Sequence, residues 1–266
     1  MSEALQRSML TELPQPDHLQ WHARYVPAVD TAQIGGDWYD AVVMPDGATT
    51  LVIGDVVGHD SRAAAAMGQL RAMTRTLAWA FEEPSCEVLS RVDQAMTELH
   101  VPTMATVLLG RIEQTPADET SGTRRLRWSS AGYLPPLLVY PDGSAEYLPG
   151  RSDLLLGVHP GAARSDHLAA LPPGSTLLLY TDGLVERRDT ALTAGLEDLR
   201  VAAATHAHLE LTDLVDTLIA HMTGPDQPSR AGHRAGHHHD DDIAVLAVRM
   251  HPEDAPRPPE AGPSHL

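Results

Sequence analysis

Residues 35–58 read GGDWYDAVVMPDGATTLVIGDVVG, and this stretch decides the fold. Trp38 to Met44 and Thr49 to Val57 are two β-prone runs, and Pro45-Asp46-Gly47 between them is turn chemistry. The pair reads as a β-hairpin. Its two ends away from the turn carry Asp37 and Asp40 on one side and Asp55 on the other. The turn lies roughly midway between them, so antiparallel pairing predicts that Asp37 and Asp55 meet.

Two further acidic clusters border apolar runs. Leu177 to Thr181 reads as a buried central strand that delivers Asp182-Gly183, and Asp240-Asp241-Asp242 precedes an alternating strand from Ile243 to Met250. All four clusters are expected at strand ends. One such Asp is ordinary turn chemistry, but four that converge would make an oxygen cage for hard divalent cations. Metals held by carboxylates suggest metal-assisted hydrolysis of a phosphate.

Outward from these clusters, the spacing predicts a strand over 19–28 and helices over 62–81 and 85–99, the first capped by Ser61. Strands follow near 103–113, 124–131, 136–140 and 153–157, with a polar loop over 115–123. Helices are expected at about 193–205 and 211–222, then a His-rich loop to residue 239. Strands, two helices, strands, two helices and a strand, with hairpin turns and no βαβ repeat, indicate an α+β fold of antiparallel sheets covered by helices. The organisation reads as an N-terminal linker helix in 1–18, one domain over 19–250 and a disordered tail over 251–266. Leu5, Met9 and Leu13 have helical spacing, which suits either a homodimer element or a helix packed on its own domain.

Composition removes several chemistries. Net charge is −17, from 36 acids against 19 bases, which argues against nucleic acid or an anionic membrane as partner. The chain has no Lys, so P-loop, kinase and lysine-imine chemistries are excluded. Cys86 is the single cysteine; its acidic neighbourhood would raise the thiol pKa, and Arg91 comes one residue too early for a C-x₅-R phosphatase signature. No apolar run approaches a membrane span and no signal-peptide core opens the chain, so a cytoplasmic location is expected.

Six motifs occur in order: Ile34-Gly35-Gly36-Asp37-Trp38-Tyr39-Asp40, Gly54-Asp55-Val56-Val57-Gly58-His59, Ser130-Ala131-Gly132-Tyr133-Leu134-Pro135-Pro136, Leu156-Gly157, Leu178 to Glu186 around Thr181-Asp182-Gly183, and Asp240 to Val245. Together they resemble the metal-dependent protein phosphatases of type 2C, in the bacterial branch of sporulation stage II protein E and RsbU. The resemblance covers roughly residues 19–250. It implies a four-layer α-β-β-α sandwich with two Mn²⁺ or Mg²⁺ ions at one edge, hydrolysing phosphoserine or phosphothreonine on a protein without a phosphoenzyme. It implies that Asp55 bridges both ions, that Asp37 and the Val56 carbonyl serve one, and that Asp182 and Asp241 serve the other. It implies as substrate a phosphorylated STAS-type anti-sigma-factor antagonist. A non-catalytic binding module of the same fold and a phosphatase of small esters are the alternative readings.

The chain departs from the family pattern at Asp60, where Gly is common, at Tyr133, where His is common, and in the His-rich stretch 232–239. That stretch leaves the ligand among Asp240, Asp241 and Asp242 open by one residue; Asp241 is preferred because the last strand begins at about Asp242. Asp40 reads as a structural carboxylate, or one that stands behind the ligands, in preference to a direct ligand. His59 would suit a proton donor to the leaving oxygen, although a capping or core role is commoner. His237 to His239 reads as a solvated loop in preference to a transition-metal site. Arg124, Arg125 and Arg127 read as a charged exposed face in preference to a phosphoprotein grip.

Overall fold

In the computed structural model, residues 13–14, 16, 18–28, 35–58, 60–187, 190–224 and 241–256 are described. Their strands are β1 (Leu19–Val26), β2 (Trp38–Val43), β3 (Thr49–Val56), β4 (Ala105–Glu113), β5 (Arg124–Ala131), β6 (Leu137–Val139), β7 (Ala145–Tyr147), β8 (His167–Leu171), β9 (Thr176–Tyr180) and β10 (Ile243–Met250). The helices are α1 (Ser61–Ala80), α2 (Ser85–Glu98), α3 (Pro116–Glu119), α4 (Asp182–Val185), α5 (Leu192–Thr205) and α6 (Leu211–Thr223). One antiparallel sheet has the order β1-β10-β9-β6-β7 and the other β2-β3-β4-β5-β8.

Period-two alternation builds the layers. In β3, Leu51 and Ile53 face the gap between the sheets, while Val52 and Val56 face α1 and α2. In β10, Ala244, Leu246 and Val248 face the gap, while Ile243, Val245 and Ala247 face α5 and α6. Three apolar layers result: one between the sheets, one under α1 and α2 around Trp38, Met67, Leu70 and Leu89, and one under α5 and α6 around Leu178, Leu199, Leu214 and Leu218. Each large side chain so buried contributes about 1.5–3 kcal/mol. The layers stack as helices, sheet, sheet, helices, the four-layer arrangement expected.

The hairpin has the predicted register, with Trp38 opposite Gly54 and Val43 opposite Thr49. Gly54 is opposite Trp38 for a steric reason: a Cβ there would lie 2.4 Å from the indole ring.

Several expectations are corrected. Asp60, not Ser61, caps α1; its carboxylate accepts from the backbone N–H groups of Arg62 and Ala63, both at 2.9 Å. The departure at residue 60 is thus a helix cap. The polar loop 115–123 contains α3, closed by a capping box between Thr115 and Asp118. Residues 153–157 are not a strand: Asp153 and Leu156 make isolated bridges to Ala131 and Ala105, and Leu154 is exposed. β8 was not foreseen, because an edge strand with every second residue exposed carries a weak apolar signal. The acidic clusters are also not all at strand ends, since Asp37 and Asp241 precede β2 and β10. The expected helix over 3–13 (apart from Leu13), the His-rich stretch 232–239, Asp240 and residues 257–266 of the tail lie outside the described residues. No helix among the described residues is long and apolar enough to cross a membrane.

Candidate metal centre

The inter-sheet layer runs out at one end of the sandwich, and there the alternation places carboxylates where apolar side chains would continue. Asp55 shares the β3 face of Leu51 and Ile53, and Asp37 shares the β2 face of Tyr39 and Ala41. The ladder continues past β2, since the Val56 N–H donates to the Gly36 carbonyl at 3.2 Å. Asp37 lies between that pair and Trp38–Gly54, so it stands opposite Asp55. The other sheet supplies the rest. Thr181 follows β9, Asp182 opens α4 and Asp241 precedes β10. The Ala244 N–H donates to Thr181 Oγ1 at 2.8 Å, and the Thr181 N–H donates to the Ala244 carbonyl at 3.0 Å. These bonds tie the Thr181-Asp182-Gly183 segment to the start of β10.

The electrostatics show that the four carboxylates share one field. Asp37 is 2% exposed, and burial, then the charge of Asp55, hold its carboxyl well above the usual range, with Asp241 and Asp182 adding to the effect and a Thr181 hydrogen bond opposing it. Burial, then Asp182 and Asp241, push Asp55 up to about 7. Oδ2 of Asp37 and Oδ1 of Asp182 are buried without a hydrogen-bond partner. Such groups cost free energy unless a cation or proton satisfies them.

The donor set fits hard divalent ions. It is all oxygen, which suits Mg²⁺ and Mn²⁺. Gly36 leaves a cradle beside it: a Cβ at residue 36 would lie 2.2 Å from the Val56 carbonyl oxygen and 2.8 Å from Asp55 Oδ1. Among the described residues no three His, Cys, Asp or Glu side chains are already closed around one point. A cavity of about 130 Å³ lies over this end, lined by Asp55, Thr106, Tyr133, Thr181, Asp182 and Glu186. Beyond Val57 opens a wider groove of about 670 Å³, lined by Met96, Val101, Pro102, Met104 and Gly157 among others.

The register at residues 240–242 has a physical discriminator. Asp242 is 4% exposed and both its carboxylate oxygens are engaged: Oδ1 accepts from the Ala28 N–H at 2.7 Å and Oδ2 from the Tyr25 hydroxyl. Asp241 is exposed and acts on both Asp37 and Asp55. Asp240 and His59 lie outside the described residues. Asp40 is a buried anchor for α1, with Arg75 at 2.5 Å and Arg71 at 3.6 Å. Tyr133, at the position where His was expected, is buried beside Asp37, Asp182 and Asp55, and its hydroxyl donates to the Tyr180 carbonyl at 3.0 Å.

The arginines of β5 are occupied. Arg124 pairs with Glu253, Arg125 with Asp118 and Arg127 with Glu113. Burial, then Asp166, push the Cys86 thiol up to about 11, which leaves it protonated at neutral pH and a poor nucleophile. Sequence reasoning missed Tyr25, Thr106, Thr181 and Glu186. The TDG motif did contain Thr181, but its tie to β10 is a long-range pairing that spacing does not reveal.

Residues 45–251 match the family described as Stage II sporulation protein E (SpoIIE). Among solved structures, the RsbU and RsbW domains of Rv1364c from Mycobacterium tuberculosis are similar at 31% identity and a TM-score of 0.74, over 91% of this chain and 63% of that one. This chain therefore spans somewhat under two thirds of that relative. The SiaA-PP2C domain of Pseudomonas aeruginosa has the same fold at 20% identity and a TM-score of 0.67, over 92% of both chains. RsbX, solved in complex with magnesium, shares the fold at 17% identity and a TM-score of 0.62, over 90% of this chain and 98% of that one. With the family match spanning most of the chain and the sandwich placing its aspartates at one edge, the protein belongs to the SpoIIE family, in the SpoIIE/RsbU-like branch of the type 2C phosphatase domains.

Proposed function

We propose that this chain is a metal-dependent protein serine/threonine phosphatase. The observation that carries the reading is the buried cluster of Asp37, Asp55 and Asp182: burial and neighbouring carboxylates raise the pKa values of Asp37 and Asp55, and Asp37 Oδ2 and Asp182 Oδ1 are buried without donors. Two divalent ions, Mn²⁺ or Mg²⁺, fit this site, as the magnesium bound by RsbX suggests for the fold. Asp55 would bridge them, Asp37 and the Val56 carbonyl would hold one, and Asp182 and Asp241 the other. When bound, such ions supply an acidified water and neutralise the oxygens of a phosphoryl group.

The protein's own residues do the rest. Asp55 on β3 and Asp37 directly before β2 are set opposite each other by the hairpin ladder, so the carboxylates are placed before charge develops. The small cavity admits a phosphoryl group above Asp55 and Asp182, while the open end beyond Val57 leaves room for a protein surface around it. The site lacks a cysteine nucleophile, since Cys86 sits on α2.

For the substrate we propose a phosphorylated STAS-type anti-sigma-factor antagonist. The mycobacterial relative, which carries RsbU and RsbW domains in one chain, supports a role in that kind of signalling. A cytoplasmic location fits this role, and residues 1–18 are proposed as a linker that could pair two copies.

The test is hydrolysis of a phosphoserine protein and of a small phosphate ester by the purified chain, in EDTA, Mg²⁺ or Mn²⁺, beside Asp55→Asn. Metal-dependent turnover of the phosphoprotein that falls by at least about a thousand-fold in the variant is expected. Preference for the small ester would redirect the substrate assignment, and a folded Asp55→Asn protein with near-normal turnover would sink the mechanism.

A further inference from the structure

Asp242 sits beside the proposed ligands, yet its environment differs from theirs. Tyr25 is opposite Ala244 in the β1–β10 ladder, on the inter-sheet face of β1, and its hydroxyl donates to Asp242 Oδ2. The Ala28 N–H donates to Oδ1 at 2.7 Å. A carboxylate with an O–H and an N–H on its two oxygens is satisfied without a cation. The segment that leads into Asp37 rests directly on this pair: a Cβ on Gly35 would lie 1.3 Å from Asp242 Oδ2 and 2.8 Å from the Tyr25 hydroxyl. From the other side, a Cβ on Gly183 would lie 2.2 Å from the Asp242 carbonyl oxygen. Asp242 is thus wedged between the Gly-Gly-Asp and Thr-Asp-Gly segments.

We propose that Tyr25 and Asp242 are a positioning pair for the metal centre. The pair is a buried strut that sets Asp37 in the hairpin against Asp241 at the start of β10, and the Tyr25 hydroxyl keeps Asp242 from competing with Asp241 for the ions. Without that O–H, Oδ2 loses its Tyr25 donor directly under Gly35, and the carboxylate is released to press on the 35–37 segment or to turn toward the ions. Both outcomes disturb the geometry that the ligands need. The inference rests on the metal-dependent reading above.

The experiment is calorimetric titration of Mn²⁺ into the EDTA-stripped full chain, well below its unfolding temperature, for the parent, Tyr25→Phe, Asp242→Asn and Asp241→Asn. Thermal unfolding of each metal-free protein is recorded beside it. Tyr25→Phe is expected to weaken Mn²⁺ binding by about ten-fold or more, the range seen when outer-shell partners of metal ligands are removed. A merely structural role would lower the unfolding temperature and leave the affinity of the folded protein alone. Asp242→Asn should keep the parent's number of bound ions at reduced affinity, and Asp241→Asn should lose an ion. Mn²⁺ affinity of folded Tyr25→Phe within two-fold of the parent overturns the proposal. If Tyr25→Phe does not fold, the two Asp variants decide: loss of an ion in Asp242→Asn but not in Asp241→Asn makes Asp242 a ligand and overturns it. A parent that binds no Mn²⁺ overturns the metal-centre reading itself, and the strut with it.

Discussion

Asp55 and Asp37 are held opposite each other by the hairpin ladder, and the cost of burying them among Asp182 and Asp241 is visible in their titration. Both folded-state values are raised, that of Asp55 to about 7. The metal-free native state therefore binds protons that the unfolded chain, with Asp near 3.9, has already released. Stability from this source is complete below about pH 4 and is lost as pH rises through about 7. Urea unfolding in EDTA should accordingly show a metal-free protein that is less stable at pH 8 than at pH 5.5, and saturating Mn²⁺ should remove that trend. A metal-free stability that climbs across the same interval would refute the repulsion argument. The same reasoning predicts that Asp55→Asn, while losing turnover, unfolds at a higher temperature than the parent in EDTA at pH 8, because it deletes a like charge from a buried site. Gly36 makes a steric prediction. Its missing Cβ would sit 2.2 Å from the Val56 carbonyl oxygen, so Gly36→Ala should weaken Mn²⁺ binding by at least about ten-fold through displacement of that carbonyl; unchanged affinity would remove Val56 from the ligand set.

Asp40 shows how an element is fastened to the site without being part of it. It is buried in β2 yet reaches Arg75 and Arg71 on α1, and its Oδ1 also accepts from the Ala41 N–H at 2.9 Å. Removing one partner of such a pair strands the other charge, at a cost of about 3 kcal/mol, somewhat reduced because Arg75 is partly exposed. Asp40→Ala should therefore lower the urea midpoint markedly while the folded protein keeps its Mn²⁺ affinity within a few-fold; a large affinity loss would make Asp40 a member of the centre. The hairpin was legible in the sequence because it is local: a turn of known chemistry fixes the register of two strands, and the register fixes who meets whom. β10 was legible as a strand because Ile243 to Met250 is a short apolar run; it does not alternate as expected, since both of its faces are buried. The Tyr25–Asp242 contact was not, because it depends on β1 and β10 pairing across more than two hundred residues. Nor was β8, whose exposed alternate positions carry little apolar signal, or the loss of 153–157 as a strand, whose apolar residues are held by two isolated bridges. The cap at Asp60 was hidden for a subtler cause. Asp and Ser are both good caps, and only the backbone geometry, extended at Asp60, separates them.

At the scale of the whole molecule, the proposed ligands are divided between the two sheets. Asp37 and Asp55 belong to the β2-β3-β4-β5-β8 sheet, whereas Asp182 and Asp241 flank β9 and β10 of the other. Along most of their length the sheets are joined by the apolar layer of Leu51, Ile53, Leu108, Trp128, Leu179 and Leu246. At this edge they are joined by like charges, in a chain of net charge −17, so the edge is the weakest part of the sandwich until cations occupy it. Ions shared by carboxylates of both sheets would convert that repulsion into a cross-link. Because they bind the assembled site and not the dispersed aspartates of the unfolded chain, they should stabilise the fold by mass action, by about 2.7 kcal/mol at a hundred times the dissociation constant. For a domain of this size that corresponds to a rise in Tm of about 5–10 °C. Thermal unfolding with Mn²⁺ should therefore lie well above unfolding in EDTA, with an increment that grows with the logarithm of the free Mn²⁺ concentration. In Asp55→Asn the increment should shrink, since the residue proposed to bridge both ions is gone. NaCl at matched ionic strength should not reproduce the effect, because screening weakens the repulsion without linking the sheets. If Mn²⁺ at concentrations that support turnover leaves Tm where EDTA sets it, the ions are not held jointly by the two sheets, and the centre cannot be the edge at which Asp37, Asp55, Asp182 and Asp241 meet.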